Sequence, residues 1–187
     1  VYDVNASGGL DPNYHFFYHG AHLEIGATAQ HVDHFEAPLD AIYGDPPLPL
    51  EATASSGLPV IFSSSDDAVL EVSGNELLVR GAGEAVVFAH QAGDDNWNPA
   101  PDANVTIVVH PAELDVVAHD ASKEYLAPIP PLEFHYEGFV NEENATVLDL
   151  QPEILTTADA SSPAGVYDVN ASGGLDPNYH FFYHGAH

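Results

Sequence analysis

The sequence predicts an all-β chain built as tandem β-sandwiches. Three observations carry this. Short runs rich in β-branched and aromatic residues recur along the chain, separated by Gly-, Ser- and Asn-rich turn signals. Prolines crowd Asp45-Pro46-Pro47-Leu48-Pro49 and Pro128-Ile129-Pro130-Pro131, which excludes helix there and blunts strand edges against unwanted pairing. Internal repeats divide the chain into units of about 82 residues, the size of a small sandwich.

In the first unit the strand runs are Val60-Ile61-Phe62, Val69-Leu70-Glu71-Val72, Leu77-Leu78-Val79, Ala85 to Ala89 and Val105 to Val109. Turns fall at Ser55-Ser56-Gly57, Ser73-Gly74-Asn75, Gly81-Ala82-Gly83 and Gly93-Asp94-Asp95. Val105, Ile107 and Val109 have the two-residue period of a half-buried strand. In the second unit Leu114–Val116, Leu132–Tyr136, Ile154–Thr156, Val166–Asp168 and Tyr179–Tyr183 are the corresponding runs.

Two repeats set the frame. Residues 1–22 and 166–187 are identical, an offset of 165. Exposed positions are free to drift, so identity over such a length implies duplication of a unit in a tandem array. Inside that period an offset of 82 relates Asp33 to Asp115, Tyr43 to Tyr125, Leu50 to Leu132, Gly83 to Gly165, Asp94 to Asp176, Asn96 to Asn178 and Trp97 to Tyr179. The expected domains are therefore 29–110 and 111–187, with 1–28 as the closing strands of a preceding repeat. Those closing strands are Asn13 to Tyr18 and, after a turn at His19-Gly20-Ala21, His22-Leu23-Glu24-Ile25. The second copy stops at His187, before its own Leu-Glu-Ile, so the second domain is expected to lack its final strand. The chain, opening at Val1, then reads as an excised window on a continuous array. The alternative is a polymer in which residues 1–28 of one molecule complete the sandwich of the next. The duplicated 22 residues favour the array, since a donor has no need to repeat a strand already present.

Residues Ala112 to His187 resemble the bacterial immunoglobulin-like repeats called MBG domains of the YGX type. The motifs are Tyr125-Leu126-Ala127, Tyr136-Glu137-Gly138-Phe139, Ala160-Ser161-Ser162-Pro163-Ala164-Gly165-Val166-Tyr167 and Asp176-Pro177-Asn178-Tyr179, in the family's order. Leu126 stands where the family has Gly, so a different turn is expected there. The first unit, with Tyr43-Gly44-Asp45 and Ala54-Ser55-Ser56-Gly57-Leu58-Pro59-Val60, looks like the related modules that neighbour MBG domains. The resemblance implies an immunoglobulin-like fold and an architectural role, as a stalk or filament repeat of a giant bacterial surface adhesin. It supplies no catalytic residues. The alternative is a module that binds glycan or protein through sandwich loops, which an exposed Trp97 would favour.

Charge narrows the partners. The chain carries 29 acidic residues against two basic ones, Arg80 and Lys123, for a net charge of −27. Such a surface repels nucleic acid and anionic membrane. With 45% hydrophobic residues it still has material for a core, unlike acidic disordered chains. No apolar run approaches the ~20 residues that span a bilayer. The absence of Cys removes disulfides and thiolate metal sites and suits an extracellular, cell-surface location. The expected partners are neighbouring repeats and, through a distal tip, surface glycan or protein.

Calcium is the candidate cofactor, because hard cations take several loop carboxylates. Asp94, Asp95 and Asp102 flank the turn around Trp97, Asp66 and Asp67 occupy another, and Glu142 and Glu143 a third. None matches a known calcium-loop spacing, and Asp94 and Asp176 have a competing role as backbone acceptors at turn starts. The twelve histidines fit no metal-ligand spacing and read as weak bases on an acidic surface. Asn5, Asn104, Asn144 and Asn170 open Asn-x-Ser/Thr sequons, glycan acceptors where the source has the machinery. No Gly-x-Ser-x-Gly elbow, phosphate loop or His-Glu-x-x-His occurs, so no catalysis is expected.

Overall fold

The computed structural model describes residues 2–10 and 12–187, so Val1 and Asp11 lie outside it. Among the described residues there is no helix, and the strands run in the order β1 (Tyr2–Val4), β2 (Ala21–Leu23), β3 (Val32–Glu36), β4 (Asp40–Ile42), β5 (Leu48–Pro49), β6 (Glu51–Ala54), β7 (Ile61–Ser64), β8 (Leu70–Ser73), β9 (Glu76–Val79), β10 (Gly83–His90), β11 (Ala103–His110), β12 (Ala112–Ala118), β13 (Phe134–Glu137), β14 (Glu153–Thr156), β15 (Val169–Ser172) and β16 (Tyr179–His184). The chain is all-β, with its strands in several small sheets. In the first half these are β4-β11-β10-β7, β3-β6 and β5-β9-β8. In the second they are β13-β12-β16 and β14-β15, while β1 and β2 pair with each other.

Alternation does what the sequence asks of it. In β11, Ile107 and Val109 are buried and Thr106 is exposed. They meet Val87 and Ala89 of β10, Phe62 of β7, Leu70 of β8 and Leu77 of β9 in one buried cluster. The same cluster continues into the second half through Ala112, Leu114, Leu148 and Tyr179. A smaller cluster, Ala118, Val169 and Ala186 with Leu132 and Ile154 packed against it, lies in the second half alone. Pro49 sits in β5, at a sheet edge, where a missing N–H costs no ladder bond. The buried amides Gln30 and Gln91 hydrogen-bond each other, and Gln30 also donates to the Asn98 carbonyl at 2.7 Å. That contact ties the start of the first half to its Asp94 turn.

Two expected strands are absent. Asn13–Tyr18 is not strand, although the same amino acids form β16 in the second copy. There the backbone pairs in parallel with β12, Ala112 opposite Tyr179 through Val117 opposite His184. Residues 14–18 have no equivalent strand alongside them, and an extended segment without one is not a stable strand. Tyr14 is 73% exposed while its copy Tyr179 is 4% exposed. Val166–Asp168 likewise lies before β15, which starts only at Val169. The final strand of the first copy is Ala21–Leu23, shorter than His22–Ile25 and shifted toward its start.

What the two copies keep is local. Val4 pairs with Ala21 in one, and Val169 with Ala186 in the other. The Phe16–Tyr18 ring stack recurs as Phe181–Tyr183. The Gly9 amide donates to the Tyr18 hydroxyl, as the Gly174 amide does to Tyr183.

The turn at Tyr125 corrects the expectation from Leu126. It is the same turn as at Tyr43: Asp45 donates to the Ile42 carbonyl at 2.9 Å, and Ala127 to that of Glu124 at 3.1 Å. Gly44 has φ +97°, and Leu126 follows it with φ +67°. A left-handed Leu costs about 1–2 kcal/mol. Leu126→Gly is expected to raise stability by about 1 kcal/mol after the entropic cost of glycine. Urea denaturation measures it, and a loss of stability would show that the exposed Leu126 side chain contributes more than its backbone strain.

Candidate functional site: a tyrosine-bridged carboxylate

Tyr43-Gly44-Asp45 forms a tight turn at the end of β4. The Ile42 amide donates to Asp45 Oδ2 at 2.8 Å, and the Tyr43 amide to the His110 carbonyl at 2.8 Å. The turn aims the Tyr43 ring into the second half, edge-on to Tyr179 at 5.7 Å. Phe139 meets the same Tyr179 ring at 5.3 Å, so an aromatic cluster spans the junction, with edge-to-face geometry worth about 0.5–1.5 kcal/mol per pair beyond burial. Gly44 lies against Val140, whose Cβ would stand 2.6 Å from a Cβ placed on that glycine. Together with its positive φ, this contact leaves no room for a side chain.

A second tight turn supplies the charge. Glu143 donates its amide to the Val140 carbonyl at 2.9 Å, across Asn141 (φ +53°) and Glu142 (φ +59°). Asn accepts that conformation readily, while Glu142 is strained by it. The half-buried Glu143 carboxylate then receives both hydroxyls: Tyr43 donates to Oε1 at 2.7 Å and Tyr179 to Oε2 at 2.6 Å. Hydrogen bonds to a charged group contribute about 1.5–3 kcal/mol each. The Tyr179 oxygen also accepts the Val140 amide at 3.2 Å. Nearby, Asn178 Oδ1 accepts the Ala82 amide at 2.8 Å, a second polar tie between the halves. Burial pushes both phenols above their ordinary range, and the bond to Glu143 adds to the shift. The carboxylate of Asp176 adds to it for Tyr43. This arrangement holds a surface closed; its carboxylate is already occupied by two donors.

Residues 114–187 match the family model of the MBG domain (YGX type). This segment is an MBG domain. No curated protein matches the chain. The match includes Glu143, Tyr179 and the Tyr125 turn, so the MBG domain provides the carboxylate and the preceding half provides Tyr43.

The five aspartates expected at calcium sites lie elsewhere. Asp94 Oδ1 accepts the amides of Asn96 and Trp97 at 2.8 and 2.9 Å. Asp176 Oδ1 repeats this with Asn178 at 2.8 Å in the MBG domain. Asp66 Oδ1 accepts the Ala68 amide at 2.9 Å, and Asp102 pairs with His90 at 2.8 Å. Asp67 and Asp95 are exposed neighbours of these turns. Among the described residues no group of three or more His, Asp or Glu is arranged to hold a metal. His31 Nε2 lies 2.9 Å from Asp33 Oδ1, and His90 Nδ1 lies 2.8 Å from Asp102 Oδ1. Trp97 is half-buried, bridged through its backbone to Thr28, and is not the buried counterpart of Tyr179. The four sequon asparagines are exposed.

One cluster had no sequence signal. Ser63 Oγ lies 2.7 Å from His90 Nε2, and His90 Nδ1 lies 2.8 Å from Asp102 Oδ1. The connectivity is that of a hydrolytic triad. It lies on the open sheet face, however, with His90 39% and Asp102 53% exposed. A working triad also needs oxyanion donors in a water-excluded site. Only strand register, Phe88 opposite Ser63, brings these residues together, and no spacing announces it.

Folded-state Tyr43 and Tyr179 titrate above the unfolded value of about 10. Their contribution is therefore complete below that pH and is lost as pH rises through the folded values. Stability is expected to fall in alkali, and Tyr43→Phe with Tyr179→Phe is expected to lower neutral-pH stability and flatten that fall. Urea denaturation across the alkaline range checks this. A wild-type alkaline slope retained in the double variant would place the titrating groups elsewhere.

Proposed function

We propose that the chain is a structural, non-catalytic repeat unit of a long extracellular bacterial surface protein, made of tandem immunoglobulin-like β-sandwiches that serve as an adhesin stalk or filament shaft. The observation that carries this reading is the joint core. An MBG domain shares buried apolar residues and a doubly bridged carboxylate with the half before it, so each unit draws stability from its neighbour, as in repeat proteins. The 22-residue duplication at an offset of 165 and the acidic surface, which keeps such proteins apart laterally, support it further. Among the described residues no helix is long and apolar enough to cross a membrane.

Antibodies raised against the purified chain are expected to label intact source cells, and brief external proteolysis is expected to remove the label. Signal only after permeabilisation would overturn the surface role. The non-catalytic part has its own test. Activated p-nitrophenyl esters are expected to hydrolyse no faster with wild-type protein than with Ser63→Ala. Turnover that survives repurification and disappears in Ser63→Ala would make the Ser63–His90–Asp102 cluster an active site.

A further inference from the structure

The outer face of the sheet β13-β12-β16 gathers histidines that the junction does not use. Along β12 the buried Leu114, Val116 and Ala118 alternate with Asp115 and Val117, which point outward. The next outward residue is His119, just past the strand. On β13 the outward residues are His135, opposite Val117, and Glu137, opposite Asp115. The His119 amide donates to the Glu133 carbonyl at 2.9 Å, which carries the ladder one step beyond β12. His119 and His135 are therefore diagonal neighbours on one face, a spacing that long side chains can bridge.

Their ring nitrogens meet. His119 Nε2 lies 2.8 Å from His135 Nδ1, with the ring centroids 5.0 Å apart. By contrast His90, His110 and His184 face the carboxylates of Asp102, Asp40 and Asp115. The second nitrogen of His135, Nε2, lies 3.2 Å from Glu137 Oε1. An ionised carboxylate only accepts, so His135 Nε2 carries a proton. Neutral His135 then offers Nδ1 as a bare lone pair, and His119 Nε2–H donates to it. A histidine held by a carboxylate through one nitrogen, with the other bare, is the form that metal ligands take.

We propose that His119 and His135 chelate a divalent copper ion in place of the proton they share. The spacing selects the metal. Two metal–nitrogen bonds of about 2.0 Å at a right angle set their nitrogens about 2.8 Å apart, whereas a tetrahedral angle sets them about 3.3 Å apart. The pair has the shorter separation. Right angles belong to tetragonal copper, which also heads the affinity order of the divalent first-row metals. Both residues are exposed, so the rings can turn until both lone pairs converge on one ion, His119 taking its Nδ1–H tautomer. Water completes the coordination, and the net charge of −27 draws cations to the surface. The two ligands stand sixteen positions apart and meet only through hairpin register. The site is read on purified protein and does not depend on the structural role proposed above.

Electron paramagnetic resonance of the untagged full chain, titrated with Cu(II) at neutral pH, tests it. A tetragonal signal split by two nitrogens is expected, filling at one ion per chain. His119→Gln and His135→Gln, both at exposed positions, are each expected to remove one nitrogen from the pattern. Each is also expected to weaken binding about a hundredfold, because in the intact pair the second nitrogen binds intramolecularly. A wild-type signal without nitrogen splitting, or a splitting and affinity that either substitution leaves unchanged, would overturn the proposal.

Discussion

The backbone N–H and C=O groups of residues 179–184 are paired with β12, whereas the same amino acids at 14–19 have no such neighbour and form no strand. The two copies have the same composition and the same intrinsic β-propensity, so the difference comes from the partner alone. β-propensity measures fit to a neighbour more than a backbone preference. Everything else in the second half follows from β12 being sandwiched between β13 and β16. That pairing buries Tyr179, and the buried Tyr179 then receives Phe139, Val140 and Glu143.

An acidic chain with two strong bases cannot pair most of its carboxylates with them; Arg80 pairs with Glu71 at 2.8 Å. Several of the others are satisfied by neutral donors. Backbone amides serve Asp66, Asp94 and Asp176, hydroxyls and amides serve Asp159, and two phenols serve Glu143. Such hydrogen bonds to a charged acceptor are shorter and stronger than neutral ones. They also avoid the desolvation cost of burying an opposite ion beside the carboxylate. The junction can therefore be both acidic and partly dry.

Much of this was legible in the residues. Alternation located β11 and β16, and the 82-residue offset anticipated that Asp94 and Asp176 would build related turns. Those signals are local, a few residues long, and repeat. The Glu143 bridge was not legible, because it joins Tyr43 to a residue a hundred positions away. In the sequence Glu143 stands with Glu142 only as the third of the acidic turns weighed for calcium. The hint in the sequence was Gly44, a glycine beside a tyrosine at a strand end, which marks close approach by something. The Val166–Asp168 run looked like strand because its residues suit one. Whether it becomes one depends on a neighbour, and no pattern within the run reports that.

Gly44 and Leu126 occupy the same turn and do different work. At Gly44 the bare backbone lets Val140 close in and lets Tyr43 reach Glu143. At Leu126 a four-carbon side chain stands in that place, and Tyr125 and Leu126 are 63% and 64% exposed. The second turn cannot make the first turn's junction, since a side chain there would collide with any valine placed like Val140. The contact inside the 165-residue period is thus chemically unlike whatever contact the Tyr125 turn makes. The strain kept at Leu126 fits a surface that presents an apolar side chain outward, where the first turn hides its backbone against a neighbour.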